Sequence, residues 1–269
     1  MKIYLINLKE WDAWFDGTPY LAMPRKCQPL YKWAADNNAD LVTNLCYFNF
    51  DTAANRKIDA DKRTIQYLRI ARYNSDCGYG GGTNERLTLP NGDIVGGFTC
   101  GIKDGKIIET SKSGSTARNY LGYTADGRLI VAQGKSYTKW GMCNAVNDYI
   151  KSQKTTVKIL LEMDGGGSVG TYSTRAKSLY APKKEGTYGR SVCSVLCLRY
   201  KGASILKTLN VGARGHDVVL LQTMLGILEA DGIYGKDTKA AVKDAQKRLG
   251  LANDGVAGPI TLRALGLRR

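Results

Sequence analysis

The run Thr156-Val157-Lys158-Ile159-Leu160-Leu161-Glu162-Met163-Asp164 leads into Gly165-Gly166-Gly167-Ser168. An apolar, β-branched segment followed by glycines reads as a strand that ends in a turn. On such a strand Glu162 and Asp164 share one face, about 6.6 Å apart along the chain. Two like charges at that spacing raise one carboxyl pKa, which makes an acid and a base from two carboxylates. Glu162 and Asp164 are therefore the candidate catalytic pair for acid–base hydrolysis; for Glu162 the alternative is a structural ion pair, and Asp51 is the next candidate. The glycines let a ligand approach the backbone and can turn several N–H groups toward one anion. No Gly-Lys-Ser/Thr follows them, so the segment is not a phosphate-binding P-loop.

Other chemistries are limited by scarcity. The chain has 269 residues and a single histidine, His216. Unless His216 lies at the site, Ser-His-Asp and Cys-His catalysis and His-ligated zinc are excluded. The seven cysteines include no C-x-x-C pair, and they read as buried thiols rather than a disulfide framework or a zinc site. No D-x-D-x-D-G calcium loop is present. No metal and no cofactor are expected.

The elements that must position these residues are legible from their patterns. Val42 to Asp51 reads as a strand with polar residues at its end. Gly97 to Ile108 and Ala117 to Ile130 read as hairpins, the first turning at Asp104-Gly105. Gly189 to Leu198 reads as a buried strand, and Asp76 to Asn84 as a Gly-rich rim. Trp33 and Trp140 are expected in the core; Trp11 and Trp14 have no functional reading. Near residue 205 the pattern turns helical. Val218, Leu221, Leu225 and Leu228 recur at helical spacing. Asp237 can cap a second helix that buries Ala241, Val242, Ala245 and Leu249 and stops at Gly250. Pro259 suits the first turn of a third.

This tail repeats itself. Asp231-Gly232-Ile233-Tyr234-Gly235-Lys236-Asp237-Thr238 and Asp254-Gly255-Val256-Ala257-Gly258-Pro259-Ile260-Thr261 share D-G-x-x-G-x-x-T. With Leu209 to Val218, Leu221-Gln222 and Leu225, it resembles the peptidoglycan-binding domain common on cell-wall hydrolases; Ala245-Gln246 replaces that family's usual Phe-Gln. The resemblance implies a three-helix module that holds wall glycan or stem peptide. Asp231, Gly232, Tyr234, Thr238, Asp254, Gly255 and Thr261 are its candidate wall-binding residues. His216 falls at the start of its first helix, away from the carboxylates.

The larger part resembles the phosphodiester glycosidase family over about residues 38–200. The D-G-G-G-S at Asp164–Ser168 is the most specific match. Asn44, the hairpin carrying Arg118, and Arg190 match further motifs. Asn44-Leu45-Cys46-Tyr47-Phe48 departs from that family's usual Asn-Gly-Gly-Phe-Phe, and Glu162 stands where it more often has Asn. The resemblance implies an α+β fold with a mixed, curved sheet and cleavage at an amino-sugar anomeric carbon. Asn44, Arg118, Asp164, Gly165, Gly166, Ser168 and Arg190 would then face the pocket. Two arginines beside an N–H nest suit an anionic substrate.

The expected organisation is thus a catalytic domain over 1–204 and a small all-α domain over 205–269. Net charge is +15, of which about +11 lies on residues 1–206, so an anionic wall polymer fits as partner. The basic residues are not interleaved with aromatics in a strip, so nucleic acid is not expected. No apolar run is long enough for stable membrane insertion, and the N-terminus does not read as a signal peptide. The layout is that of a phage endolysin, which accumulates in the host cytoplasm and reaches the cell wall when the membrane is breached. The alternatives are a phosphodiester glycosidase acting on teichoic-acid-like sugar phosphates and a non-catalytic wall-binding protein.

Overall fold

The computed structural model describes residues 1–17, 27–45, 85–97, 99–181, 191–192, 194–201, 205, 207–227 and 230–268. The chain opens with β1 (Lys2–Ile6), β2 (Trp11–Gly17), α1 (Leu30–Asp36) and β3 (Leu41–Asn44). Then come β4 (Arg86–Thr88), β5 (Ile94–Gly96), β6 (Cys100–Lys103), β7 (Lys106–Ile107), β8 (Thr116–Thr124) and β9 (Leu129–Tyr137). After α2 (Lys139–Ser152) follow β10 (Val157–Glu162), a 3₁₀ turn (Gly166–Ser168), β11 (Thr171–Ser173), β12 (Ser178–Tyr180) and β13 (Ser194–Tyr200). Three helices close the chain: α3 (His216–Leu225), α4 (Lys236–Leu249) and α5 (Pro259–Ala264).

One sheet has the order β1-β9-β8-β10-β6-β7 and a second the order β12-β11-β3-β13-β2, with β4 and β5 as a separate hairpin. The α+β class expected from the sequence holds. Every pairing among the described residues is antiparallel, which narrows the mixed sheet that was expected. The expected hairpins are β6–β7 and β8–β9. Asp104 and Gly105 have φ of 47° and 74°, the left-handed pair that matches a two-residue turn to strand twist.

Period-two alternation sorts the side chains into layers. Ile130 and Ala132 of β9 meet Met142, Cys143, Val146 and Ile150 of α2. Their neighbours Leu129 and Val131 lie in the large cluster with Phe15, Leu41, Leu196 and Leu198 of the second sheet. Val195 and Cys197 pack instead under Leu30, Trp33 and Ala34 of α1. The result is helix, sheet, sheet, helix. α2 starts cleanly because the Thr138 hydroxyl accepts from the Gly141 N–H at 3.0 Å.

Two expectations are corrected. Trp33 is buried, but Trp140 is 39% exposed, on the outer first turn of α2 under the Lys112 ammonium. Cys100, Cys143 and Cys197 are unbridged thiols, but Cys27 is disulfide-bonded. Its partner lies outside the described residues, so the reading of all seven cysteines as thiols does not hold.

The three C-terminal helices follow the expected pattern. Val218, Leu221 and Leu225 are buried, as are Val242 and Ala245, whereas Ala241 and Leu249, expected with them, are only partly buried; Leu228 lies outside the described residues. Gly250 takes φ 68° at the end of α4, the left-handed cap that favours glycine. Pro259 opens α5. Asp237 lies within the first turn of α4, whose cap is Gly235.

This bundle is docked on the sheets. Val218, Leu221 and Met224 share one buried cluster with Tyr4, Ile6, Leu129 and Ala176. The Ser173 hydroxyl donates to the Met224 carbonyl at 2.7 Å and the Ser178 hydroxyl to that of Leu225 at 3.5 Å. Arg248 Nε donates to the Ala176 carbonyl at 2.9 Å, and the Lys2 ammonium donates to the carbonyl of Gly226. No described helix is long and apolar enough to cross a membrane.

Candidate active site and wall-binding repeats

The Asp164 loop is spliced between the two sheets. Met163 N–H donates to the Asn119 carbonyl of β8 at 2.8 Å, and the next N–H, of Asp164, donates to the Leu45 carbonyl beyond β3 at 2.9 Å. The regular strand ends at Glu162. Asp164 is buried, 6% exposed.

Asn44 clamps both ends of the loop. Its Nδ2 donates to the Asp164 carbonyl at 2.9 Å, and its Oδ1 accepts from the Gly170 N–H at 3.0 Å. Behind it lies a buried amide network. Asn119 Nδ2 donates to the Asn44 carbonyl at 2.9 Å. Gln133 Nε2 donates to Thr43 Oγ1 at 2.8 Å and to the Gly170 carbonyl at 3.1 Å. Asn44 is thus placed to hold the loop through its backbone. Between the clamps Gly166 takes φ 61°, and a Cβ there would meet no atom within 4 Å. The backbone angle, not crowding, calls for glycine. Gly165 and Gly166 are half-buried, and Ser168 is buried at the end of the 3₁₀ turn.

Glu162 stands at the centre of an ionic cluster. Arg118 Nη1 lies 2.8 Å from its Oε1, and Lys139 Nζ lies 2.8 Å from its Oε2. Thr99 Oγ1 donates to the same Oε2 at 3.1 Å. The Glu162 side chain is 1% exposed, that of Arg118 10% and that of Lys139 18%. Arg118 is fixed further by bonds from Nε to the Tyr137 carbonyl at 3.1 Å and from Nη2 to that of Gly114 at 2.5 Å. Both oxygens of Glu162 are thus engaged by cations. Burial, then the Glu162 charge, push the Tyr120 phenol up, and burial pushes the Cys143 thiol up to about 12, so both stay neutral beneath the cluster.

Arg190, Asp51 and the Gly-rich rim lie outside the described residues. Among those described, Asn44, Asp164 and Ser168 gather at the sheet junction, while Arg118 and Glu162 sit on the α2 side. Lys139, Thr99, Asn119 and Gln133 were missed. Gln133 did leave a signal, as an amide directly after the apolar run Leu129–Ala132 of β9; Asn119, next to Arg118 in β8, and Lys139 left none.

The two tail repeats fold identically. Gln222 Nε2 donates to Asp231 Oδ1 at 2.8 Å, the Ile233 carbonyl at 3.1 Å and Thr238 Oγ1 at 3.0 Å, while its Oε1 accepts from the Gly232 N–H at 2.9 Å. Gln246 does the same with Asp254 at 2.8 Å, Val256 at 3.0 Å, Thr261 at 3.1 Å and the Gly255 N–H at 2.9 Å. Tyr234 is buried and donates to the Gly255 carbonyl at 3.0 Å, joining the loops. The Asp, Gly and Thr of each motif are therefore engaged in shaping the loop, and Ile233 and Ile260 are left exposed.

Solved structures similar to this chain include the zebrafish N-acetylglucosamine-1-phosphodiester alpha-N-acetylglucosaminidase catalytic domain auto-inhibited by its pro-peptide. That match has 15% identity and a TM-score of 0.49, over 72% of this chain and 74% of that one. A hypothetical protein from Synechocystis matches at 11% identity and TM-score 0.41, over 74% and 62%. The endolysin of Burkholderia phage AP3 matches at 46% identity and TM-score 0.22, over only 23% of this chain and 26% of that one. No curated protein matches. Residues 214–265 match the peptidoglycan binding domain family, so the chain carries that domain in its C-terminal helices.

Proposed function

We propose that the protein is a hydrolase of bacterial cell-wall glycan, of the phage endolysin type, that cleaves a glycosidic bond at an amino sugar. The observation that carries this reading is a peptidoglycan binding domain docked on the body that holds the buried Asp164 loop. Asp164 is the catalytic carboxylate of the proposal. Glu162, the other carboxylate of the candidate pair, holds Arg118 and Lys139 beside the loop through its ion pairs. Docking on an insoluble polymer raises the local concentration of scissile bonds, and coupling of two sites is worth about 10²–10⁴ in avidity.

A second reading, a phosphodiester glycosidase acting on sugar phosphates of teichoic-acid-like polymers, draws support from Arg118 and Lys139, which meet at Glu162; guanidinium and ammonium groups suit an anionic substrate. Product analysis separates the two readings: reducing ends from purified glycan support the first, and sugar released only from teichoic acid the second. In either case Asp164→Asn should lower turnover about 10²–10⁴-fold, with sedimentation on sacculi and thermal melting unchanged. Undiminished turnover would remove Asp164 from the chemistry.

A further inference from the structure

We propose a second sugar-binding site, remote from Asp164, on the outer edge of β2, where the backbone of Ala13 takes the acetamido group of an N-acetylated amino sugar. A groove of about 340 Å³ runs along this edge, lined by Leu8, Trp11, Ala13 and Trp14 with Pro90 and Asn91 opposite and Asp12 and Lys201 on the rim. β2 is the last strand of its sheet. Asp40 N–H donates to the Leu198 carbonyl, and Tyr200 N–H to Asp40 Oδ2, so Leu198 and Tyr200 turn their backbone away from β2. The inward pairs of β2 are then Asp12 with Arg199 and Trp14 with Cys197. Trp11, Ala13 and Phe15 turn their N–H and C=O outward.

Two of those three positions are closed. Trp11 N–H donates to the Asn7 carbonyl at 3.1 Å, and Phe15 N–H to Asp93 Oδ2 at 2.8 Å. Among the described residues no group engages the N–H or C=O of Ala13. An open edge invites another strand, but one residue between two closed ones offers no run to pair with. It offers one donor and one acceptor, the complement of a single secondary amide. The acetamido group of an amino sugar is such an amide.

The flanks suit a sugar ring. The half-buried Trp14 indole and the exposed Pro90 ring offer apolar surface to its C–H face, with Trp11, 2% exposed, behind them in the core; Asp12 and Lys201, paired at 3.1 Å, and Asn91 can meet its hydroxyls. The indoles are already fixed. Trp14 Nε1 donates to Asn37 Oδ1 at 3.1 Å, with the Arg199 guanidinium 5.1 Å from its ring, and Trp11 is tilted on Tyr200 at 5.2 Å. Binding therefore orders little that is not ordered already. The inference rests on the wall-directed reading only in the choice of sugar.

Hydrogen exchange on the full chain tests it, with the N-acetylglucosamine tetramer and the glucose tetramer as probes. The first should protect amides within 11–14 and those of Asn91 and Gly92, and the second should not. Ala13→Pro removes the N–H at an edge position that tolerates proline; it should weaken that protection about three- to tenfold. Should this variant melt early, Asp12→Ala with Lys201→Ala on the exposed rim serves instead, with the same loss expected. Equal protection by both sugars, no protection in the groove, or protection unchanged in the variants overturns the site. Wall lysis is read separately, so these outcomes leave the proposed function standing or falling on its own.

Discussion

At the scale of single residues, Glu162 and Asp164 differ in what their neighbours demand. Removing one member of a buried ion cluster leaves uncompensated charge, which costs about 3–5 kcal/mol. Glu162→Gln removes the charge that Arg118 and Lys139 share and should lower the melting temperature more than Asp164→Asn does. Calorimetry of the two variants side by side checks this; equal melting would mean that Glu162 does not anchor the cluster. Lys2 supplies a pH test. Burial lowers its pKa from 10.5 to about 8. Between those values the unfolded chain binds the proton more tightly, so stability rises with pH across that window, by about 3 kcal/mol in all. Tyr4 and Tyr180 beside it are pushed up by burial and stay neutral there. The wild type should gain thermal stability relative to Lys2→Met from pH 8 to 10, and a constant difference would show that Lys2 does not titrate in the fold.

At the scale of elements, the repeats make their own prediction. Gln222→Ala or Gln246→Ala leaves a buried glycine N–H and an Asp–Thr pair without their bridge, at a cost of about 2–4 kcal/mol. Ile260, 69% exposed, should tolerate Ser within about 0.5 kcal/mol. Urea denaturation of the three variants compares them directly. The repeats were visible in the sequence because D-G-x-x-G-x-x-T recurs, but their bonding was not, since each loop closes on a glutamine one helix earlier. The hairpins and helices were likewise legible from alternation, helical spacing and turn glycines. The candidate site was legible only at Asp164–Ser168 and the residues matched with it. Asn119 and Gln133 converge from β8 and β9 onto a loop between other strands, and Lys139 reaches Glu162 from the start of α2. Such contacts depend on how two sheets and a helix are stacked, and no local pattern carries that.

At the scale of the whole molecule, the tail behaves as part of the body it is docked on. Its first helix shares a buried cluster with the sheets and is tied to β11 and β12, the hairpin directly after the Asp164 loop. Differential scanning calorimetry should therefore give one cooperative transition for the full chain; two well-separated transitions would show a tail that unfolds on its own. Docking also changes how such a protein would work on a wall. A flexible tether lets an active site search a radius set by linker length around each anchoring point. Here that radius vanishes, and each landing presents the same small footprint of bonds. Once these are cut, progress requires release and a new landing. Lysis then tracks residence time, so a variant that grips the wall longer clears it more slowly.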